Sequence, residues 1–409
     1  MPSTTARLFT LTTLLLAGVA VPVAPAGAAP AAVAPPAAVA PPAAGAPPAG
    51  VALPAGAHGP ATCPPAASAL AFSDALDKST FAGVPVTELS AFAPDVRTLG
   101  FVSVSDDDPR LFFVRDPLDP RVTATVPLRR PDSTRYDGDT FDGEGVAVLP
   151  DGRLLVSSEV EPSIRVFGRD GIERGALPVP ARFRVAPAGE ARVNGTLEGL
   201  SISPSGRYVY AAMEAPLSGD APASGESLIR RMLVYRHAGA GFALDRPVGY
   251  AGAGFVPDRP VGYAGAGFAP DRQIGYAADP GHRISEVAAY ADGRLLVLEI
   301  RFTPGVGNDV KLYAVTGANH APDVSGIANL STAPPGTLVT KRLVADLTAC
   351  PTLGATSPGT QINPLMDNYE GMAVIAPAGR GPAVVHLISD DNGSPTQVTR
   401  VLTLTALLP

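Results

Sequence analysis

Carboxylate residues recur in this chain at the two ends of one repeated apolar hairpin. In "FDGEGVAVLPDGRLLVSSE" (141–159), Glu144 precedes the first apolar segment and Glu159 follows the second. The pattern returns in "LEGLSISPSGRYVYAAME" (197–214), "ISEVAAYADGRLLVLE" (284–299) and "YEGMAVIAPAGRGPAVVHLISDDN" (369–392). The starting acids are Glu144, Glu198, Glu286 and Glu370, and the ending acids are Glu159, Glu214, Glu299, Asp390 and Asp391. A weaker copy, "ELSAFAPDVRTLGFVSVSDDD" (88–108), has Ser90-Ala91 in place of Glu-Gly.

Equivalent acids on equivalent strands predict a ring of carboxylates around one opening. Like charges at short range raise one another's pKa unless a cation neutralises them. Oxygen ligands suit Ca²⁺ better than a soft metal, so we predict that the starting and ending glutamates bind calcium. The alternative is structural, since acids at strand ends also accept hydrogen bonds from backbone amides.

Three further residues complete the predicted site. Asp390 or Asp391 is a candidate general base. Arg301 lies two positions after Glu299, and its planar guanidinium is well shaped to hold a phosphate or carboxylate group. Arg301 is equally suited to pairing with a structural glutamate.

The elements that must position these residues are short β-strands. Each hairpin is followed by further strand-like segments, and turn residues punctuate the chain throughout. Four strands per repeat predict an all-β fold, a β-propeller of five or six blades, with five repeats visible. A β-sandwich is the alternative, but it does not explain the repeated terminal acids. The last repeat lacks a strand, which "ALAFSDALD" (69–77) is expected to supply, closing the ring.

The N-terminal region has the pattern of an exported protein. Arg7 precedes the apolar run "LFTLTTLLLAGVAV", which predicts a signal peptide over 1–29, and Ala and Pro dominate a predicted disordered spacer over 30–62. The folded domain is expected over 63–409. Cys63 and Cys350, the two cysteines of the chain, are expected to pair in an oxidising compartment.

Charge and hydropathy limit the partners. A net charge of −7 without a basic stripe argues against nucleic acid, and no second apolar run predicts a membrane span. We expect a secreted monomer. The chain has no G-x-S-x-G, H-E-x-x-H, C-x-x-C or Walker A motif, which argues against several large hydrolase classes.

Five ordered motifs resemble one secreted bacterial family. They are "FDGEGVAVLPDGRLLVSSEVEPSIRVF", "NGTLEGLSISPSGRYVYAAMEAPL", "RFTPGVGNDVKLYAV", "NPLMDNYEGMAV" and "SDDNGSPTQVTR". Together they resemble the family called esterase-like activity of phytase, over roughly residues 69–409. The resemblance implies a β-propeller that hydrolyses phosphate or other esters, and we expect a small anionic or ester substrate. The alternative is a secreted propeller that binds a small ligand, glycan or protein without catalysis.

Overall fold

The computed structural model describes residues 62–239, 265–376 and 381–409, which form five antiparallel sheets of four or five strands and one two-stranded hairpin over 80–85. The predicted signal peptide and all but the last residue of the predicted spacer lie outside these residues. No α-helix occurs within the described ranges, and no helix there has the length and hydropathy of a membrane span.

The strands have the following bounds. In the first half they are β1 (Thr62–Cys63), β2 (Ala67–Ser73), β3 (Thr80–Phe81), β4 (Val84–Pro85), β5 (Ala93–Asp95), β6 (Gly100–Ser105), β7 (Arg110–Arg115), β8 (Arg121–Pro127), β9 (Gly143–Val148), β10 (Leu154–Ser158), β11 (Ser163–Phe167) and β12 (Glu173–Leu177). In the second half they are β13 (Leu197–Ile202), β14 (Tyr208–Met213), β15 (Ile229–His237), β16 (Phe268–Ala277), β17 (Arg283–Ala291), β18 (Arg294–Thr303), β19 (Gly307–Thr316), β20 (Lys341–Asp346), β21 (Tyr369–Ile375), β22 (Ala383–Ser389) and β23 (Val401–Ala406). Short 3-10 turns cover Ala181–Phe183, Ser218–Asp220, Gly265–Gly267, Leu330–Thr332 and Leu347–Ala349.

The five sheets are the blades of a closed β-propeller. Blade 1 contains β5 to β8, blade 2 β9 to β12, blade 3 β13 to β16, and blade 4 β17 to β20. Blade 5 contains β21, β22, β23, β2 and β1 in that spatial order. The first strands β5, β9, β13, β17 and β21 contact one another in sequence, and β21 contacts β5. The predicted propeller is therefore confirmed, with five blades.

The two ends of the described chain meet in blade 5. Strand β2 pairs antiparallel with β23, from Ala67 opposite Ala406 to Ser73 opposite Val401. The N-terminal segment thus supplies the missing strand, as the sequence predicts, and β23 has no free edge. Cys63 and Cys350 form the expected disulfide, which ties blade 5 to the turn after blade 4.

The core lies between neighbouring blades. Strand β6 is buried along its whole length, since both faces of its blade are covered. Between blades 1 and 2, Phe141 and Phe167 meet edge to face with ring centroids 5.7 Å apart. Burial on both faces explains why the inner strands are almost continuously apolar, and it gives their ends a rigid support.

Candidate functional site

A cavity of about 370 Å³ is formed where the inner strands of the propeller begin. Within the described part of the chain, its lining comprises ten carboxyl residues, three asparagines and one arginine. The acids are Glu88, Asp106, Asp107, Asp142, Glu144, Glu159, Glu198, Glu214, Glu370 and Asp390, and the others are Asn194, Asn368, Asn392 and Arg283.

A β-bulge directs the starting glutamates into this cavity. In blade 3, Leu197 pairs with Met213 and Gly199 with Ala212, which leaves Glu198 without a partner. Glu370 in blade 5 is bypassed in the same way, between Tyr369 and Gly371. A bulged residue is left out of the ladder, and its side chain is re-aimed. The Glu of each Glu-Gly pair therefore turns toward the centre.

The glycine of each Glu-Gly pair is required for a different reason, the close approach of the neighbouring blade. A Cβ atom added to Gly145 would lie 2.5 Å from the Cβ of Leu200 on the next blade. A Cβ on Gly371 would lie 2.4 Å from the backbone carbon of Ala91. Neighbouring inner strands approach too closely at this position for any side chain. The recurring Glu-Gly dipeptide therefore marks a bulged residue followed by a close contact between two blades.

Blade 4 differs from this pattern by one residue. Ile284 pairs with Glu299 and Glu286 with Leu298, so the bulged residue is Ser285. A shift of one residue turns a side chain to the other face. Glu286 accepts hydrogen bonds from the amides of Leu200 (2.9 Å) and Val287 (2.8 Å) and does not line the cavity.

Glu299, at the end of the second strand of blade 4, is displaced in the same way. Its carboxylate accepts hydrogen bonds from Tyr276 (2.5 Å) and Lys341 (2.5 Å), and the side chain is fully buried. The predicted ring therefore has no carboxylate from blade 4, whereas Glu144, Glu159, Glu198, Glu214 and Glu370 do converge.

The three predicted catalytic residues lie in different places, and one of them lines the cavity. Asp390 lines the cavity and is 2% exposed. Arg301 donates to Asp309 (3.0 Å) on the neighbouring strand, and the structure does not bring it to the cavity lining. Asp391 lies behind the lining, where it accepts from Lys78, from the hydroxyl of Thr87 (2.5 Å) and from the amide of Glu88 (3.1 Å).

Several lining residues that the sequence analysis did not assign share one position. Glu88, Asp142, Arg283 and Asn368 each lie two residues before the inner-strand site occupied by Ser90, Glu144, Ser285 and Glu370, respectively. Residues two apart on a strand point to the same side. A search two residues upstream of each Glu-Gly equivalent would have found this second ring. Asp106 and Asp107 come from the "SDDD" turn of the weakest repeat.

The cavity acids strongly oppose one another's ionisation. Burial raises the pKa of Glu144, Glu198 and Asp390 well above the usual range, and the neighbouring carboxylates add to the shift. Burial, followed by the charge of Glu214, raises the pKa of Glu159 to about 8. Burial also raises the pKa of Asp106 to about 8. Without added positive charge, the cavity therefore retains protons at neutral pH.

The donor set fits a hard divalent cation. Single oxygen atoms of Asp106, Asp142 and Glu144 lie within 4.8 Å of one another, as do those of Glu144, Glu159 and Glu198. Charged and amide oxygens with flexible geometry are the ligands that Ca²⁺ uses. Glu214 Oε2 is buried and accepts no hydrogen bond; its ion-pair partner is Arg192 at 3.5 Å.

A third acidic group lies outside the cavity lining and contains a lysine ammonium. Asp279, His282 and Glu299 have ligand atoms within 4.8 Å of one another in blade 4. Lys341 donates to both Asp279 (2.7 Å) and Glu299 (2.5 Å), so this ammonium already neutralises the two carboxylates. We assign a structural role to the group.

Fold and site together define a five-bladed propeller with a carboxylate-lined, cation-compatible mouth. Residues 84–393 match the family model described as Phytase-like: Esterase-like activity of phytase. The chain belongs to this family, as its motifs predict. A search of curated proteins found no match.

Solved structures with similar folds have low identity. The PQQ-bound aldose sugar dehydrogenase of Streptomyces coelicolor is 13% identical over 84% of this chain and 100% of its own, with a TM-score of 0.36. The gluconolactonase XC5397 of Xanthomonas campestris is 14% identical over 85% and 96%, with a TM-score of 0.35. The allergen Mala s 1 of Malassezia sympodialis is 8% identical over 80% and 95%, with a TM-score of 0.37.

Proposed function

We propose that this protein is a secreted, calcium-assisted hydrolase of phosphate or other esters. One observation carries the proposal: among the described residues, ten carboxyl groups and a single guanidinium line one cavity. Such a cavity repels an anionic ester unless cations first reverse its charge. The family to which the chain belongs supports an ester-cleaving reaction.

The residues best suited to hold calcium are Asp106, Asp142, Glu144 and Glu159. Their ligand atoms belong to the two carboxylate groups that share Glu144, of which the second also includes Glu198. When bound, the ion would supply positive charge for the anionic oxygens of the ester and lower the pKa of a water molecule. Within the described lining there is no Ser, Cys, Lys or His side chain to act as a nucleophile, so water is the expected attacking group.

Glu88 is the residue we assign to proton transfer. It lines the cavity, is only partly buried, and burial with the charge of Asp107 raises its pKa to about 7. Its backbone has a φ of +56°, a strained conformation for this residue type. A proton held on this carboxyl is available near neutral pH for a leaving alkoxide.

The surroundings of Glu88 support this assignment. Asp391, the base candidate of the sequence analysis, accepts from the Glu88 amide and holds the strained backbone in place. A Cβ atom on Gly393 would lie 3.1 Å from Glu88 Oε1, so this glycine leaves space for the carboxyl group. Asp391 is thus a positioning residue in our proposal, and Asp390 remains a second candidate base inside the cavity.

Export is part of the proposal. The paired cysteines suit an oxidising compartment, and the apolar N-terminal run suits a signal peptide.

The second candidate function is binding without turnover. It is favoured by the same lining, in which the described side chains include acids, amides and one arginine but no nucleophile beyond carboxylates. A small ligand, glycan or protein that carries its own cation would then occupy the mouth.

Turnover assays separate the two candidates. We expect the purified protein to release phosphate from phytate or p-nitrophenyl phosphate, or p-nitrophenol from p-nitrophenyl acetate, with Ca²⁺ but not with a chelator. Glu144→Gln should reduce the rate at least about 100-fold by removing the shared ligand. Glu161→Gln is the matched control, because the side chain of Glu161 is 78% exposed and outside the lining. Calcium binding with no release from any substrate would refute the hydrolase and support binding.

A further inference from the structure

One guanidinium group is enclosed by oxygen atoms from two other blades. Arg283 Nη1 donates to Glu198 Oε1 (2.7 Å) and Glu214 Oε1 (3.2 Å) of blade 3. Arg283 Nη2 donates to Asn368 Oδ1 (2.9 Å) and Glu370 Oε1 (2.6 Å), which precede and begin blade 5. Four oxygens, three of them from carboxylates, therefore surround one positive charge.

This oxygen set resembles the coordination of a calcium ion more than an ordinary ion pair. Calcium takes six to eight oxygen ligands from carboxylates, amide carbonyls and water. The fully buried Arg231, by comparison, pairs with a single acid, Asp220. Arg283 replaces the acid that blades 2, 3 and 5 contribute, because the bulged residue of its own blade is Ser285.

The opposite half of the cavity has no such cation. Asp106, Asp142 and Glu144 come from blades 1 and 2, and their ligand atoms lie within 4.8 Å of one another. None of the ion pairs among the described residues includes any of the three. Glu144 is 8% exposed, and its hydrogen-bonding neighbour is another acid, Asp142. A buried carboxylate with only an acid beside it must either keep a proton or bind a cation, so these three residues can accept an ion by releasing protons.

We propose that Arg283 is a built-in cation that fills one ion-binding position of the cavity and so directs a bound Ca²⁺ to Asp106, Asp142 and Glu144. The inference rests on the proposed cation dependence, but it concerns where the ion binds and not the reaction. It divides the mouth into a half with fixed charge, made by blades 3 to 5, and a half that exchanges ions, made by blades 1 and 2. An anionic substrate would then meet one permanent and one exchangeable positive charge.

Calcium titration calorimetry on the purified full-length chain tests the location first. Asp142→Asn should weaken Ca²⁺ binding at least about tenfold, because it removes a ligand of the exchanging half. Glu370→Gln should weaken it less than about threefold, because Arg283 already occupies that half. Equal losses in the two variants, or no Ca²⁺ binding by the wild type, would overturn the inference.

Replacing Arg283 tests whether its guanidinium group takes the place of a calcium ion. Arg283→Gln should bind one more Ca²⁺ per chain than the wild type, through Glu198, Glu214 and Glu370, and Glu370→Gln in that background should abolish the gain. Arg283→Lys keeps the charge and should retain the wild-type stoichiometry, which also controls for folding. An unchanged stoichiometry in a folded Arg283→Gln would refute the proposal. Absence of ester hydrolysis with these binding results would refute the hydrolase alone.

Discussion

Raising the pH without divalent cations should destabilise the propeller. Burial, together with the charge of Glu214, raises the pKa of Glu159 to about 8, against 4.5 for a free glutamate. Between these values the folded protein keeps a proton that the unfolded chain has lost. Stability is therefore fully present below pH 4.5 and is lost as the pH rises through 8.

The magnitude follows from the size of the shift. Each pKa unit corresponds to about 1.4 kcal/mol, so Glu159 alone should cost about 2 kcal/mol between pH 6.5 and 8. Asp106, whose pKa burial also raises to about 8, should bring the loss to about 4 kcal/mol, and Glu144, Glu198 and Asp390, whose pKa values lie well above the usual range, should deepen it further. For a domain of this length, about 4 kcal/mol corresponds to a fall in melting temperature of about 5 °C, which is the smallest change we expect.

Thermal melts followed by circular dichroism at pH 6.5 and 8, with chelator or with excess Ca²⁺, measure this effect. Calcium should offset the fall, since it binds the ionised carboxylates and stabilises by about 2.7 kcal/mol at a concentration of 100 Kd. Glu159→Gln should reduce the loss of stability between pH 6.5 and 8 by about 2 kcal/mol, and Glu161→Gln should leave it unchanged. A melting temperature in chelator that is flat or rising from pH 6.5 to 8 would refute the reasoning.

Three further predictions concern stability. Burial lowers the pKa of His386 to about 4, so the neutral ring supports the fold above pH 6.5 and that support is lost as the pH falls. In the wild type, this histidine should lower the free energy of unfolding by about 3 kcal/mol between pH 6.5 and 4. His386→Gln should not show this decrease when the two proteins are compared by urea unfolding. Cys63→Ser removes a disulfide that joins residues 287 positions apart, and it should lower the free energy of unfolding by up to about 5 kcal/mol. Equal melting temperatures of the wild type with and without reductant would contradict this. Asp220→Asn should cost about 3 to 5 kcal/mol in the same unfolding assay, because it leaves the fully buried Arg231 without its charge partner; a loss below 1 kcal/mol would argue against it.

Most of the fold is predictable because the same hairpin pattern recurs in the sequence of each blade. The Glu-Gly pairs locate the inner strands, since Glu marks a bulge and Gly a close contact between blades. The need to cover an edge strand predicts the return of the N-terminal segment to β23. The disulfide is predictable because two cysteines in a chain with a predicted export signal are expected to pair in an oxidising compartment.

The site is only partly predictable, because its register depends on one unpaired residue per blade. Matching the acids of the two hairpins pairs Glu286 with Glu198, yet the ladder places the bulge of blade 4 at Ser285. Only alignment on the turn "DGRLLV", which the hairpins of blades 2 and 4 both contain, reveals the slip, because it places Ile300 and not Glu299 at the position of Glu159. The same displacement removes Glu299 and admits Arg283, so the error in one blade changes both the charge and the ligand set of the cavity.

The rate of phosphate release as a function of free Ca²⁺ concentration tests the central claim most directly. We predict that the rate rises from near zero to saturation, with a midpoint equal to the dissociation constant from calorimetry on the same preparation. In Glu144→Gln the midpoint should move to higher concentration, or the rate should be lost, because the residue shared by both carboxylate groups is neutralised. A rate that does not depend on free Ca²⁺ would contradict the claim, and so would full activity in Glu144→Gln.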